Sequence, residues 1–355
     1  MLVKHKALFI VISAVFLVSC GNIGYYSQSI AGQWEIISKR RPLAELLADP
    51  ASDPRLRESL NQVLEIREFA SRNLGLPDNN AYRSYAQLDR QYVVWNVIAT
   101  PEFSLEPVEW CFIIVGCLPY RGYFSREAAV EHAHRLEAEG LDVHVGGVSA
   151  YSTLGWFDDP VLSTMLNREI TATARIIFHE LAHQHTYIKD DTDFNEAFAD
   201  TVAQIGISLW LTSRDNNGLI DRNKRQQQRD EDFFQLVSEY KNKLTELYLA
   251  GIPTAEKRSR KSAIFKQMIA DYHEIRSGWE DTREYDSWFG EGLNNARLAT
   301  VLTYRDLVPA LLSLYEAQGR DLTRFYRQVR VLGRCSKMQR RQFLEQGIHT
   351  PECTQ

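Results

Sequence analysis

Two histidines and two glutamates carry the chemistry of this chain. His179-Glu180-Leu181-Ala182-His183 is followed closely by Asn195-Glu196-Ala197-Phe198-Ala199-Asp200. On a helix, residues four apart project from one face, so the imidazoles of His179 and His183 can reach a single metal ion, with Glu180 beside them in the same pocket. A catalytic zinc needs a third protein ligand and keeps a fourth position for water. Glu196 is the candidate third ligand. An HExxH arises by accident in a chain of this length only about once in a hundred. The rival reading is a pair of core histidines joined by a hydrogen bond. It is disfavoured because the motif does not stand alone and its flanks suit a metal site: Ile176, Ile177, Phe178, Leu181 and Ala182 give the helix an apolar back. Two neutral imidazoles and a carboxylate leave a zinc ion able to bring the pKa of its water to about 7. Glu180 is then the expected general base, and the acid that protonates the departing amine.

The paired motifs resemble the thermolysin-like, or gluzincin, zinc peptidases, in which a second helix carries Asn-Glu-x-x-x-Asp. The resemblance implies one Zn2+ per chain held by His179, His183 and Glu196, with Asp200 orienting His179 and Asn195 supporting the ligands. A wider run is similar to a family of predicted bacterial aminopeptidase lipoproteins over nearly all of the mature chain: Gly146 to Tyr151, the metal motifs, Leu293-Asn294-Asn295-Ala296 and Thr303 to Pro309. Only twelve residues separate His183 from Glu196, fewer than in thermolysin, so the connection between the two helices must be shorter. The gluzincin arrangement also implies a tyrosine downstream of the ligands that donates to the transition-state oxyanion. Tyr304 is the preferred candidate, beside Tyr151, Tyr187 and His185, although His185 falls on a different helical face from His183. A peptide would pair with an edge strand upstream of the HExxH helix, placed at Val148 to Phe157 with Ser149, Ala150 and Tyr151 in contact. The alternative for this segment is a loop packing its aromatic rings on the core. Asp158, in Asp158-Asp159-Pro160, is the candidate anchor for a free amino terminus, or else a helix cap.

The elements that must position these groups are mostly helical. Asp53-Pro54 reads as an N-cap with proline at the first helical position, and Leu56, Leu60, Val63, Leu64 and Ile66 keep a helical period. Tyr92 to Ala99 and Phe112 to Cys117 read as strands. Ser125 caps a helix ended by Gly140, and Leu141 to Val148 returns as a strand. Beyond Ile205 the chain reads as helices: Phe233 to Tyr248 and Ile264 to Ile275 carry apolar stripes separated by Pro253, and Leu307 to Tyr315 with Leu322 to Leu332 should close a bundle over the metal helices. The expected fold is α+β, a mostly helical zincin-like domain with a small N-terminal sheet and a C-terminal helical part. That domain spans residues 32–355, with the sheet and metal helices in 32–203 and the helical part in 204–355.

Residues 1–19 read as a bacterial lipoprotein signal: Lys4 and Lys6, an apolar run from Ala7 to Val18, and small residues before Cys20. An ordinary signal peptide or an uncleaved anchor is the alternative. Cys20 would carry the lipid and residues 20–31 would be a tether; Gly21, by resemblance to enterobacterial sorting, favours the outer membrane facing the periplasm. Of five cysteines, four then remain. Three pairings are open, and the two local ones, Cys111 with Cys117 and Cys335 with Cys353, are expected in an oxidising compartment. A four-thiol zinc site is the rival, with spacings unlike a zinc knuckle. The net charge of −5 shows no basic footprint for nucleic acid. The partners expected are a peptide substrate and, through the lipid, a membrane. Two other functions stay open, a zinc endopeptidase of envelope quality control and a non-catalytic lipoprotein stabilised by zinc.

Overall fold

Local signals set most of the element ends in the computed structural model, which describes residues 24–347 apart from 113–115, 151–152, 154–156, 167–168, 215–216, 280–281, 291 and 306, and apart from the side chains of 302–306. Helix α1 spans residues 24–38. The stretch expected to be a tether as far as residue 31 is therefore helical from residue 24. There follow β1 (Arg40–Pro42), α2 (Leu43–Ala48), α3 (Pro54–Arg72), β2 (Ser84–Ala86), β3 (Val94–Pro101), β4 (Trp110–Phe112), β5 (Gly116–Leu118), β6 (Arg121–Tyr123), α4 (Arg126–Ala138), β7 (Leu141–Val148) and β8 (Val161–Leu162). The rest is helical: α5 (Ser163–Leu166), α6 (Ile170–His185), α7 (Thr192–Ser213), α8 (Asn217–Leu249), α9 (Thr254–Ser277), α10 (Asp286–Phe289), α11 (Asn295–Arg305), α12 (Val308–Ala317), α13 (Leu322–Leu332) and α14 (Lys337–Glu345). The architecture is α+β and mostly helical, as the sequence implies. Asp53 caps α3 by accepting from Arg55 N and Leu56 N, and Ser125 caps α4 by accepting from Ala128 N. Gly140, at φ +86°, takes the left-handed turn between α4 and β7 that an L side chain resists.

Three small sheets result. Strand β3 lies between β6 and β7, antiparallel to both, with Val94 opposite Val148 and Pro101 opposite Leu141. Val97, Ala99 and Val143 point to one face, where Ala129, Ala133 and Leu136 of α4 cover them. Strand β2 pairs antiparallel with β1 and parallel with β8. The third sheet corrects an expectation: the single strand expected over Phe112 to Cys117 is a hairpin of β4 and β5, with Cys111 opposite and disulfide-bonded to Cys117. A one-strand reading overlooks the reversal that this cross-strand bridge requires. Gly116, at φ +81°, starts the return strand, and a Cβ there would fall 2.2 Å from Asp190 Oδ1, so the hairpin rests closely on the loop after α6. Cys335 is buried, and Cys353 lies outside the described residues.

The main core gathers the back faces of the metal helices. Ile177, Phe178, Leu181 and Ala182 of α6 meet Phe194, Ala197, Phe198 and Val202 of α7, and Leu60, Val63 and Ile66 of α3 close one side. Gly206 permits this approach, because a Cβ there would stand 2.7 Å from both Leu74 and the ring of Phe178. Helices α12 and α13 cover α7, as expected: the Phe325 and Phe198 rings stack with centroids 6.2 Å apart, and the Tyr326 hydroxyl donates to Leu74 O at 2.9 Å. A second core joins Phe233, Val237 and Tyr240 of α8 to Phe265, Met268 and Tyr272 of α9. Asn295 is the junction. Fully buried, it donates from its backbone to Asp142 at 3.0 Å and from Nδ2 to Glu102 O at 2.9 Å, and accepts from the Tyr248 hydroxyl at 2.6 Å. The Leu293 to Ala296 motif thus has a joining role.

Candidate metal centre

Helices α6 and α7 are joined by a loop of six residues, and the loop is pinned by the second motif itself. Asn195 accepts from Ile188 N and donates to Ile188 O, both at 2.7 Å, so one side chain replaces a backbone pairing on each side of the turn. Asp191 caps α7 by accepting from Phe194 N, and its other oxygen accepts from Arg340 of α14 at 2.8 and 2.7 Å. Both partners of that ion pair are buried, so each charge depends on the other. The short connection anticipated between His183 and Glu196 is achieved by these two residues.

The helices bring three donor atoms together. His179 Nε2 lies 3.1 Å from His183 Nε2 and 3.2 Å from Glu196 Oε2, and His183 Nε2 lies 3.6 Å from the same carboxylate oxygen. His179, His183 and Glu196 can thus hold one metal ion. Asp200, one turn beyond Glu196, meets His179 Nδ1 at 3.1 Å. A proton on Nδ1 directed at Asp200 leaves the Nε2 lone pair aimed into the triangle, as a ligating histidine requires. The behaviour without metal is consistent: burial opposes a charge on His179, yet hydrogen bonds to Asp200 and Glu196 lift its pKa well above the usual histidine range. Burial likewise opposes the Glu196 carboxylate, but His183 and His179 outweigh it and hold this group far below the usual carboxylate range. Metal would replace the shared proton.

Glu180 stands next to these ligands outside the triangle. Burial raises its pKa; His179 and His183 pull it down, Glu196 and Asp159 push it up, and the balance stays above the ordinary carboxylate value. That favours a carboxyl able both to take and to return a proton.

The remaining expected site residues are distributed differently. Ser149 and Ala150 are buried, and the Ser149 carbonyl accepts the Thr164 hydroxyl at 2.5 Å. No strand continues beyond Val148 among the described residues of the segment expected as a substrate edge, because Ser149 turns into the core. Tyr151 lies outside the described residues, as does the side chain of Tyr304. Asp158 is exposed: its carbonyl accepts from Arg40 at 2.7 Å and its carboxylate from Asn80 at 3.5 Å. Its neighbour Asp159 is the buried acid that influences Glu180, and it accepts from the Thr153 hydroxyl at 2.8 Å and the Thr153 N at 2.9 Å. His185 packs its ring on Tyr326 of α13, with centroids 4.2 Å apart, on the far side of α6. Tyr187 is on the rim, its ring 6.5 Å from that of His183.

Two tyrosines that the sequence does not single out feel the charge of Glu180. Tyr120 follows the disulfide hairpin, and burial together with the negative charges of Glu196 and Glu180 holds its phenol protonated, well above the usual range. Tyr82 is buried at φ +61°, a left-handed conformation uncommon for an aromatic residue, and its hydroxyl has no hydrogen-bond partner among the described residues. Burial and then Glu180 and Asp159 raise its pKa. The buried Arg67 holds the preceding turn by donating to Pro77 O, Asn79 O and Ala81 O. Both tyrosines lie far upstream of the motifs, and nothing in their local sequence ties them to Glu180.

Residues 24–344 match the family described as "Putative aminopeptidase", so the match spans most of the chain. The protein belongs to this aminopeptidase family. No curated protein and no solved structure matches it.

Proposed function

We propose that the protein is a lipid-anchored, zinc-dependent aminopeptidase with Glu180 as the proton carrier. The triangle of His179, His183 and Glu196 carries this reading. Donors about 2.0 to 2.2 Å from a tetrahedral zinc stand roughly 3.3 Å apart, and the three edges here run from 3.1 to 3.6 Å without rearrangement. Three nitrogen and oxygen donors, with His179 and Glu196 partly exposed, also suit a hydrolytic zinc rather than a structural one, whose shell is closed by four protein ligands. Bound there, zinc would polarise the scissile carbonyl and activate a water. Glu180 would take a proton from the attacking water and deliver it to the leaving amine, while Asp200 holds His179 in the tautomer that a ligand needs. Tyr120, a protonated phenol within the electrostatic influence of both glutamates, is a candidate oxyanion donor alongside Tyr304. Tyr120→Phe should lower kcat about 100-fold with zinc content unchanged; a variant of native kcat would remove Tyr120 from this role.

Family membership supports exopeptidase action, and Asp159 is the buried acid near Glu180 that could face a free amino group. The test is hydrolysis of matched peptides with free and N-acetylated termini by the zinc-loaded protein. Cleavage of the free peptides and none of the blocked ones is expected. Equal cleavage of both would make the protein an endopeptidase, and cleavage of neither would leave zinc a structural part. The lipid anchor is supported by the residues before Cys20. No helix among the described residues is long and apolar enough to cross a membrane. Intact-mass analysis of the mature N-terminus tests it directly.

A further inference from the structure

Helix α1 has two unlike faces. One is fixed to the body of the protein. Gly32 and Ile36 are buried, and a Cβ at Gly32 would stand 2.1 Å from the ring of Phe124. Gln28 accepts from Phe124 N at 2.9 Å, and the Tyr25 ring stacks under the Arg121 guanidinium, 4.1 Å from its centroid. The single acid of the helix, Glu35, turns to Arg90 and Lys39 at 2.6 and 3.0 Å. The opposite face carries Tyr26, Ser27, Ile30, Ala31 and Trp34, all exposed and none charged. Tyr26, Ile30 and Trp34 are four residues apart and form one line; Ile30 is 70% and Trp34 68% exposed. Scattered exposed apolar residues are ordinary, whereas a contiguous uncharged stripe of this kind marks an interaction surface.

We propose that this face of α1 lies in the headgroup and acyl boundary of a phospholipid bilayer, setting the orientation of the protein on the membrane. The proposal rests on the lipid-anchor reading of Cys20. Only residues 21–23 separate Cys20 from the first residue of α1, so an acyl group there is at most about 14 Å away along a fully extended chain. The first turn of a helix starting so close to the insertion point stays near the membrane surface, and the stripe can bring the rest down to it. The side chains of the stripe match that location: Tyr and Trp place an amphipathic ring at the headgroup level, and Ile fills the apolar depth between them. With no Lys or Arg on the stripe, attraction to anionic lipid has no part in the contact, which depends on apolar burial. Retention needs no help from the stripe once the lipid is inserted. Its effect is geometric. The body grips α1 through Gly32, Ile36 and Tyr25, so a helix lying flat in the interface gives the whole protein a fixed tilt.

Bromolipid quenching tests this on the full chain, purified from membranes and reconstituted in phosphatidylethanolamine and phosphatidylglycerol vesicles with brominated acyl chains. Brominated lipid should quench part of the tryptophan emission of the native protein. Trp34→Phe should remove most of that quenching and leave peptidase activity and vesicle retention unchanged, and raising the salt concentration should not diminish the quenching. Equal quenching in native and Trp34→Phe protein, or none in either, overturns the bilayer contact. Intact mass of the same preparations reports the lipid on Cys20 independently. A lipidated chain without Trp34-dependent quenching refutes the stripe alone; an unlipidated chain that still shows it refutes the anchor alone. Sedimentation of the native protein and of a Tyr26→Ser, Ile30→Ser, Trp34→Ser variant adds a further arm. A dimer lost in the variant would assign the face to a second copy of the chain and overturn the bilayer as its occupant.

Discussion

Glu180→Gln should retain zinc at full stoichiometry and lose nearly all hydrolysis. The replacement keeps size and polarity, and Glu180 lies outside the triangle, so the donor separations of 3.1 to 3.6 Å are left intact. What disappears is a carboxylate that can receive a proton and later release it. Each of those transfers contributes about 10² to 10⁴ in rate, so the variant's kcat should fall by at least the lower figure. Without metal, burial and the charges of Glu196 and Asp159 outweigh the two histidines, so Glu180 should stay protonated to higher pH than an ordinary carboxylate, which infrared titration of the metal-free native protein against Glu180→Gln measures. A Gln variant that holds zinc and cleaves peptides near the native rate would refute the assigned proton path.

Glu196→Ala should abolish zinc binding and activity together. It removes one corner of the triangle and leaves two histidines with their Nε2 atoms 3.1 Å apart and no carboxylate ligand. Asp200→Ala should be milder. Its contact is with His179 Nδ1 and not with the triangle, so zinc affinity should fall about 10- to 100-fold and activity should return at higher zinc concentration. Competition against a chromophoric chelator measures both. Identical affinities in the two variants and the native protein would mean that α7 does not supply a ligand.

The ligands were legible because their spacing is dictated by the helix itself. His179 and His183 share a face whatever surrounds them, and Glu196 and Asp200 repeat the interval on the next helix. Helix caps at Asp53 and Ser125 and the apolar stripes of α8 and α9 are local signals in the same sense. The tyrosines were not legible. Arg67 fixes the turn before Tyr82 and the Cys111–Cys117 hairpin precedes Tyr120, but what brings either near the charge of Glu180 is tertiary packing, such as the approach of Gly116 to Asp190, which no local pattern encodes. Strand β7 ends at Val148 for a related reason. Its pairing with β3 runs to Val148, and the next carbonyl, that of Ser149, accepts from the Thr164 hydroxyl, a partner set by the tertiary fold.

The buried pair of Arg340 and Asp191 separates the making of the site from its completion. All three metal ligands lie within eighteen residues, so their assembly closes only short loops and costs little chain entropy. The guanidinium that neutralises the cap of α7, however, arrives 149 residues later. As the chain emerges from its N-terminal end, the ligand helices can pair while the charge on Asp191 still waits for its counterpart. Local order comes early and permanence later, so α14, the last helix among the described residues, seals a centre that the first two hundred residues have already outlined.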